Sequence, residues 1–398
     1  MYDVTVIGAG PGGSTAARYL AKQGFDVCLI DKDRFPRDKP CGGGFSTQLV
    51  EEFPYLKKRE KEFLKGVCHI GVLHSPNRKR VMRSRVDMAV ALRTEFDNAL
   101  YETALDAGTS SITGHRVKSI SISNNLATVS LDNGRDISTK VIVGADGVTS
   151  MVARSTGLNI KWSSEDVTAC RVAEVPVNPN TVEELYTADR EYHFFANLGG
   201  LPGYGWVFPK FETINVGLGI VADHAKGLPK RFRSFTKFLM KKGYLNEDAD
   251  LRNAKGALLP TGGTISKLFA KRCLLVGDSA GMVNPITGGG IAYAMKAGKL
   301  AAVVLGKCLD DDMLDEANLS TYQMLWMQLF GNEIESQLLV QRIFTSSFAS
   351  VLFEIGSRDI VLQETVSEIM SEASQGKNDV TKVLGRFLYV CLREALSR

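Results

Sequence analysis

The run Gly8-Ala9-Gly10-Pro11-Gly12-Gly13 stands between Tyr2-Asp3-Val4-Thr5-Val6-Ile7 and a stretch of helix formers from Ser14 to Gln23. Apolar β-formers before it and helix formers after it read as strand, tight turn, helix. In such a junction Gly8 makes the turn, Gly10 lets the backbone approach a pyrophosphate, and Gly13 lets helix and strand pack closely. Pro11 and Gly12 complete a helix N-terminus whose free N–H groups and positive dipole face the phosphates. Gly24 ends the helix as a C-terminal cap would, and Phe25 to Ile30 is the next strand. Asp31 closes that strand some twenty residues beyond the motif, where a carboxylate accepts from adenosine ribose hydroxyls, with Lys32 beside it. The N-terminal part is thereby held to an α/β domain that binds a dinucleotide.

Two further stretches turn the dinucleotide into a flavin. Val141-Ile142-Val143-Gly144-Ala145-Asp146-Gly147 lies near the middle, and Leu274-Leu275-Val276-Gly277-Asp278-Ser279-Ala280-Gly281 lies late in the chain. Gly277 and Asp278 sit at a strand end, where the aspartate can accept from a ribityl chain. Pro285 and Gly288-Gly289-Gly290 then precede an apolar helical run from Ile291 to Val304. Three glycines leave no side chains between backbone and ring, and the N-terminus of that helix would stabilise reduced flavin through its dipole. FAD, extended across one large domain, is the expected cofactor.

The rest of the composition excludes more than it assigns. The chain has 398 residues, 44% hydrophobic and 23% charged, with a net charge of +4. The length suits two or three domains or one large domain with insertions, and the composition is that of a soluble globular protein with no case for nucleic acid. Seven cysteines without a Cys-x-x-Cys pair argue against a disulfide framework and a zinc site, and favour a reducing cytosol. The histidines show no metal-ligand spacing, so no metal is expected. The chain starts directly with a strand, so no signal peptide is expected, and no apolar run reaches the length of a membrane span. Lys57-Lys58-Arg59 and Arg78-Lys79-Arg80 are solvated surface or a point of contact with anionic head groups at a membrane surface.

Periodicity divides the chain further. Residues 32–47 look irregular and 87–107 helical, while Ile112 to Ile122, Ala127 to Leu131 and Lys140 to Val143 read as strands. From 165 to 222, aromatic and β-branched residues alternate with turns as in an antiparallel sheet. A helical piece follows at about 230–242, and from Leu319 onward the pattern is amphipathic and helical. The expected fold is α/β: a Rossmann-like FAD-binding domain at 1–160 and 255–310, an inserted, mostly antiparallel substrate-binding sheet domain at 66–92 and 161–254, and C-terminal helices at 311–398. Phe330, Leu338, Leu339, Phe344, Phe348, Leu352, Phe353 and Ile355 are expected either to pack those helices on the cofactor domain or to cover a lipid tail.

The order of the three glycine stretches resembles the para-hydroxybenzoate hydroxylase superfamily of flavoproteins. Arg93, in Leu92-Arg93-Thr94-Glu95-Phe96-Asp97-Asn98-Ala99-Leu100, matches the arginine that reaches FAD in that superfamily. Lys39-Pro40-Cys41-Gly42-Gly43-Gly44 resembles the cysteine-glycine loop of geranylgeranyl reductases, and Tyr204-Gly205-Trp206-Val207-Phe208-Pro209 resembles their Tyr-x-Trp-x-Phe-Pro motif. Gly43 stands where many archaeal members carry Glu, a form more like the chlorophyll-pathway branch. The resemblance implies hydride transfer from flavin N5 to double bonds of a geranylgeranyl chain. An isolated alkene lacks a carbonyl to take up charge, so such a site must be dry, apolar and supplied with one acid. Cys41 is the candidate for that acid, or else only shapes the loop. Tyr204, Trp206 and Phe208 alternate on a strand and share one face, which would either line a substrate channel or pack on the core.

The expected activity is therefore an FAD-dependent reductase of isoprenoid lipids, cytoplasmic or peripheral at a membrane. Its alternatives are a flavin monooxygenase or halogenase of the same fold, an electron-transfer flavoprotein, and a lipid-binding flavoprotein without turnover. The Trp-x-Trp-x-Ile segment of halogenases is absent, and so is a cysteine cluster for an iron–sulfur region. No second Gly-x-Gly-x-x-G unit marks an NADPH site, so NADPH and a ferredoxin-like protein both stay open as electron donor.

Overall fold

The computed structural model describes residues 1–346, 349–370, 383, 385–390, 392 and 393. Two eight-stranded sheets form its frame. In the first, Tyr2–Ile7 pairs in parallel with Val27–Asp31 on one side and Asp136–Gly144 on the other. Cys273–Leu275 extends this sheet in parallel beyond Asp136–Gly144, and Ser110–Thr113 extends it beyond Val27–Asp31. Val4, Val6, Val141 and Val143 have no exposed surface, the burial on both faces that makes parallel strands read as apolar runs. The helices Pro11–Lys22 and Ile291–Asp310 cover one face together. They approach closely enough that a Cβ on Gly298 would lie 2.3 Å from the Gly12 carbonyl oxygen. This connectivity gathers the ends of three strands, at Ile7, Gly144 and Leu275, along one edge, the edge at which open parallel sheets bind ligands.

The second sheet runs in the order Lys255–Pro260, Val167–Pro176, Thr213–Val221, Gly203–Pro209, Glu191–Ala196, Leu64–His74, Val81–Ala91 and Gly44–Ser46. Every pair is antiparallel except Glu191–Ala196 with Leu64–His74. Alternation sorts its residues strictly. Val207, Val216, Leu218 and Ile220 pack outward under the helix Leu228–Lys241, while Cys170, Val172, Trp206 and Phe208 turn inward.

Several elements differ from the sequence reading. Residues 87–91 belong to the strand Val81–Ala91, and the helix starts at Arg93. Met88-Ala89-Val90-Ala91 has helical composition, but pairing with Leu64–His74 and Gly44–Ser46 overrides propensity. Residues 255–260 join the second sheet, paired antiparallel to Val167–Pro176, rather than the cofactor half. The strand expected over 112–122 is split by Gly114 at φ +78. The helix Pro179–Tyr186, unforeseen, is capped by the Asn178 side chain with Pro at its first turn.

C-terminal helices Glu316–Trp326, Asn332–Phe344, Ala349–Gly356 and Ile360–Met370 lie across both halves. Trp326 and Phe330 pack on Tyr293 of the first half, whereas Phe344 and Phe353 join the inward face of the second sheet. Leu339 is exposed. Phe348 and the Leu352 side chain lie outside the described residues, as do 371–382. Among the described residues no single helix is long and apolar enough to cross a membrane.

Candidate active site

A cleft of about 1090 Å³ opens where the two sheets meet. Its floor is the first glycine turn. Gly8 adopts φ +101 with the Ala145 carbonyl oxygen 2.3 Å from where its Cβ would be, so no other residue fits. The Ala9 N–H donates to Asp31 Oδ2 at 2.7 Å, which fixes the carboxylate against the turn. Gly10, Pro11, Gly12 and Gly147 line the cleft directly. Around Gly10 a Cβ would meet only Arg37 Nη2, at 3.8 Å, and around Gly147 it would meet nothing within 4 Å.

A buried guanidinium pair stands beside this floor. Arg93 lines the cleft and donates to Asp97 through Nε at 2.7 Å and Nη2 at 2.8 Å. Burial opposes the Arg93 charge, but Asp97 outweighs it and holds the guanidinium above its ordinary range. Asp97 is pushed up by its own burial and brought below the carboxylate range by Arg93, with Arg37 adding to that. Arg37 Nη2 reaches Asp97 Oδ2 at 3.0 Å, while its Nη1 is buried with no hydrogen-bond partner. A buried, unpaired donor next to an uncovered glycine turn fits a phosphate-bearing dinucleotide, because an orphan guanidinium N–H is costly unless an anion meets it.

Opposite the floor, Lys39 to Gly44 forms a loop along the cleft with Cys41 half-buried. Gly43 is left-handed at φ +75, and a Cβ there would sit 2.1 Å from the Ala91 carbonyl oxygen. This backbone therefore admits only glycine at position 43. The Gly43 N–H donates to Cys41 Sγ at 3.4 Å, and the Arg93 side chain also meets the thiol. Asn215 Nδ2 donates to the Cys41 carbonyl at 2.9 Å and to Glu174 Oε2 at 2.7 Å. Glu174 in turn accepts from the buried Lys210 Nζ at 2.7 Å and from the Thr213 hydroxyl at 2.5 Å. Trp206 Nε1 donates to Asn215 Oδ1 at 2.8 Å. One polar cluster thus ties the cysteine loop to the aromatic strand. A second thiol, Cys170, also borders the cleft; burial pushes it up to about 12, with Cys41 nearby adding to the shift, so it stays protonated.

Tyr204, Trp206 and Phe208 all line the cleft, with ring centroids 5.7 Å and 6.4 Å apart along the strand. Tyr204 and Trp206 also border a second, largely apolar chamber of about 950 Å³. The C-terminal helices close that chamber with Val340, Phe344, Phe353 and Val366. Gln341 latches them down, donating to the carbonyls of Pro285 at 2.7 Å and Thr261 at 3.2 Å.

The third glycine stretch completes the cleft. Gly277, Asp278, Gly288, Gly289, Gly290 and Ile291 line it, and Gly290 caps the helix Ile291–Asp310, whose first turn carries no acid. Some expected residues lie elsewhere. Gly13 is buried under Gly8, shaping the turn from behind. Lys32 is exposed and outside the lining. Pro285 faces the chamber instead of the cleft. Asp146 is turned away to cap the short helix Met151–Ser155, accepting from Met151 N at 2.6 Å and the Ser150 hydroxyl at 2.5 Å. Its burial leaves it raised despite those bonds. Arg37, Glu174, Lys210, Asn215 and Asn284 were not singled out by the sequence. For Asn284 a signal existed, since Asn-Pro marks a turn; its side chain accepts from Ile286 N at 2.9 Å and Thr287 N at 3.1 Å and holds the loop ahead of the three glycines.

Comparison with known proteins agrees with this architecture. The FAD binding domain family matches residues 1–324. Over 350 residues the chain is 32% identical to the digeranylgeranylglycerophospholipid reductase of Methanocaldococcus jannaschii, covering 86% of each. It is 30% identical over 317 residues to the menaquinone reductase of Mycobacterium tuberculosis, covering 76% of each. A geranylgeranyl bacteriochlorophyll reductase-like protein of Thermoplasma acidophilum shares the fold, with a TM-score of 0.80 and 24% identity over 97% of this chain and 99% of that one. The chain belongs to the FAD-binding domain family of flavoproteins and, within it, to the geranylgeranyl reductases. It is accordingly a flavin oxidoreductase with FAD as its cofactor.

Proposed function

We propose that the protein saturates carbon–carbon double bonds in geranylgeranyl chains carried by a membrane lipid or its precursor. The observation that carries this reading is the shared aromatic wall: Tyr204 and Trp206 border both the glycine-lined cleft and the apolar chamber. A long apolar chain lying in the chamber would therefore end where the cofactor cleft begins. Gly10, Pro11, Gly12, Gly147 and Arg37 would hold the pyrophosphate, Asp31 the adenosine ribose, and Arg93, Asp278 and Gly288 to Ile291 the flavin half. Bound and reduced, FAD supplies the hydride. The other alkene carbon must take a proton, and in this reading Cys41 holds it on the cleft lining and regains it from solvent. Asn215 and Arg93 keep that thiol in place. Tyr204, Trp206 and Phe208 present ring faces to the cationic character that develops between the two additions. The latched C-terminal helices exclude water from the chamber.

An anaerobic single turnover tests this. The bound flavin is photoreduced, a digeranylgeranyl glycerophospholipid or menaquinone is added, and oxidised-flavin absorbance and product mass are followed. Two hydrogens gained per flavin reoxidised is the expected result. A flavin that stays reduced with each lipid, yet forms a stable adduct with oxygen, would overturn the reading in favour of a monooxygenase.

A further inference from the structure

We propose that the helix Leu228–Lys241, with the groove beside it, seats the protein on an anionic phospholipid surface. Between Asp223 and Glu247 the chain carries Lys226, Lys230, Arg231, Arg233, Lys237, Lys241 and Lys242 and no acid. All seven are exposed, and among the described residues none forms an ion pair, whereas the Lys57-Lys58-Arg59 cluster is tied to Glu60, Glu62, Glu102 and Asp106. The opposite side of the helix buries Phe232, Phe235 and Leu239 on the second sheet. Its cations are thus presented on a helix whose other face is anchored to the sheet.

Beside the helix lies a groove of about 980 Å³. Leu198, Leu218, Ile220, Phe235 and Phe238 give it an apolar floor, and Arg78, Lys226, Lys230 and Arg231 surround it. Arg78 lies over the Phe238 ring at 4.6 Å. Cations around an apolar floor match a phosphate head group joined to hydrocarbon. The position favours lipid over an acidic protein. Leu218 and Ile220 face the groove while Gly219 and Val221, the alternate residues of the same strand, face the closed chamber. Asn197 and Gly203 border the chamber, and Leu198 and Gly199 between them border the groove. Groove and chamber therefore end at one turn of chain. An acidic electron donor docked here would instead be separated from the glycine-lined cleft by the whole thickness of the sheet.

This inference rests on the proposed function only for why a lipid surface is needed; its test involves no turnover, so either can fail alone. Holoprotein is floated with vesicles of phosphatidylcholine alone or mixed with phosphatidylglycerol, at low and high salt. Binding only to the anionic vesicles, weakened by salt, is expected. Each basic side chain near such a surface contributes about fivefold, so Lys230→Gln, Arg231→Gln and Lys237→Gln together should weaken binding about a hundredfold. Lys230→Arg with Lys237→Arg should bind as the parent, and both variants should keep their flavin. The proposal is overturned if the triple variant floats like the parent or if neutral vesicles bind equally well. It is also overturned if vesicles are ignored while an acidic electron-transfer protein binds in a way the triple variant loses.

Discussion

The Lys210–Glu174 pair makes an asymmetric prediction. Lys210 is 1% exposed and Glu174 30%. Lys210→Met removes the cation but leaves Glu174 with the Thr213 hydroxyl, the Asn215 amide and some water. That should cost about 1–2 kcal/mol, the scale of one charge-assisted hydrogen bond. Glu174→Gln leaves an ammonium group out of reach of solvent with no counter-charge, and should cost about 3–5 kcal/mol. At about 2.1 cal/mol/K per residue, the unfolding entropy of this chain is about 0.8 kcal/mol/K, so the midpoints should fall by about 2 °C and about 5 °C respectively. The double variant should resemble Lys210→Met alone, because removing the cation removes what Glu174→Gln exposes; the coupling is then about 3–5 kcal/mol, the whole cost of Glu174→Gln. Thermal and urea unfolding of the three variants measure this directly. A second readout belongs to the site: since Asn215 bridges Glu174 and the Cys41 carbonyl, Glu174→Gln should also speed alkylation of Cys41. Additive losses, or a greater loss from Lys210→Met, would refute the reasoning.

Two further outcomes can be checked. Burial lowers His74 to about 4 and His193 to about 3, and the two rings share one hydrogen bond at 3.2 Å. Unfolding restores an ordinary value near 6.5, so between pH 6.5 and about 4 the unfolded chain binds more protons. Stability should therefore drop as the pH is lowered, by about 3 kcal/mol from pH 6.5 to 5, above the range where carboxylates contribute; urea midpoints unchanged over that window would contradict this. Arg37→Met should leave the fold intact, because Asp97 keeps both bonds from Arg93, while weakening FAD binding to apoprotein about tenfold to a hundredfold by fluorescence titration, the worth of a charge-assisted hydrogen bond.

What the sequence made legible was local. Gly8 to Gly13 with Asp31, and Gly288 to Ile291, are turns whose residues and partners are close in the chain or follow a fixed motif, and they line or shape the cleft together. Alternation alone placed Tyr204, Trp206 and Phe208 on one face. The site's other half depends on long-range pairing that no window of sequence contains. Glu174 meets Lys210 only because Val167–Pro176 and Gly203–Pro209 flank the same strand, Thr213–Val221. Arg37 lies in an irregular stretch with nothing to mark its neighbour Asp97. Residues 255–260 looked like a return to the first sheet because nothing local tells one sheet edge from another. Asp146 was misplaced for a different reason: a carboxylate after a strand serves a ligand or a helix N-terminus equally well, and here the Met151 helix takes it.

The latch from Gln341 to Pro285 has a consequence for energetics. The loop it grips runs from Asn284 to Gly290, with the chamber on one side and the glycine-lined cleft on the other. Occupants of the two spaces therefore press on the same few residues, and linkage makes any effect mutual. A lipid that raises the two-electron midpoint potential by about 30 mV must bind the reduced protein about tenfold more tightly than the oxidised one. Titrating lipid affinity against redox state would then measure the same free energy as titrating potential against lipid. With such coupling the enzyme would hold its substrate while charged with electrons and loosen its grip on the product once they are spent.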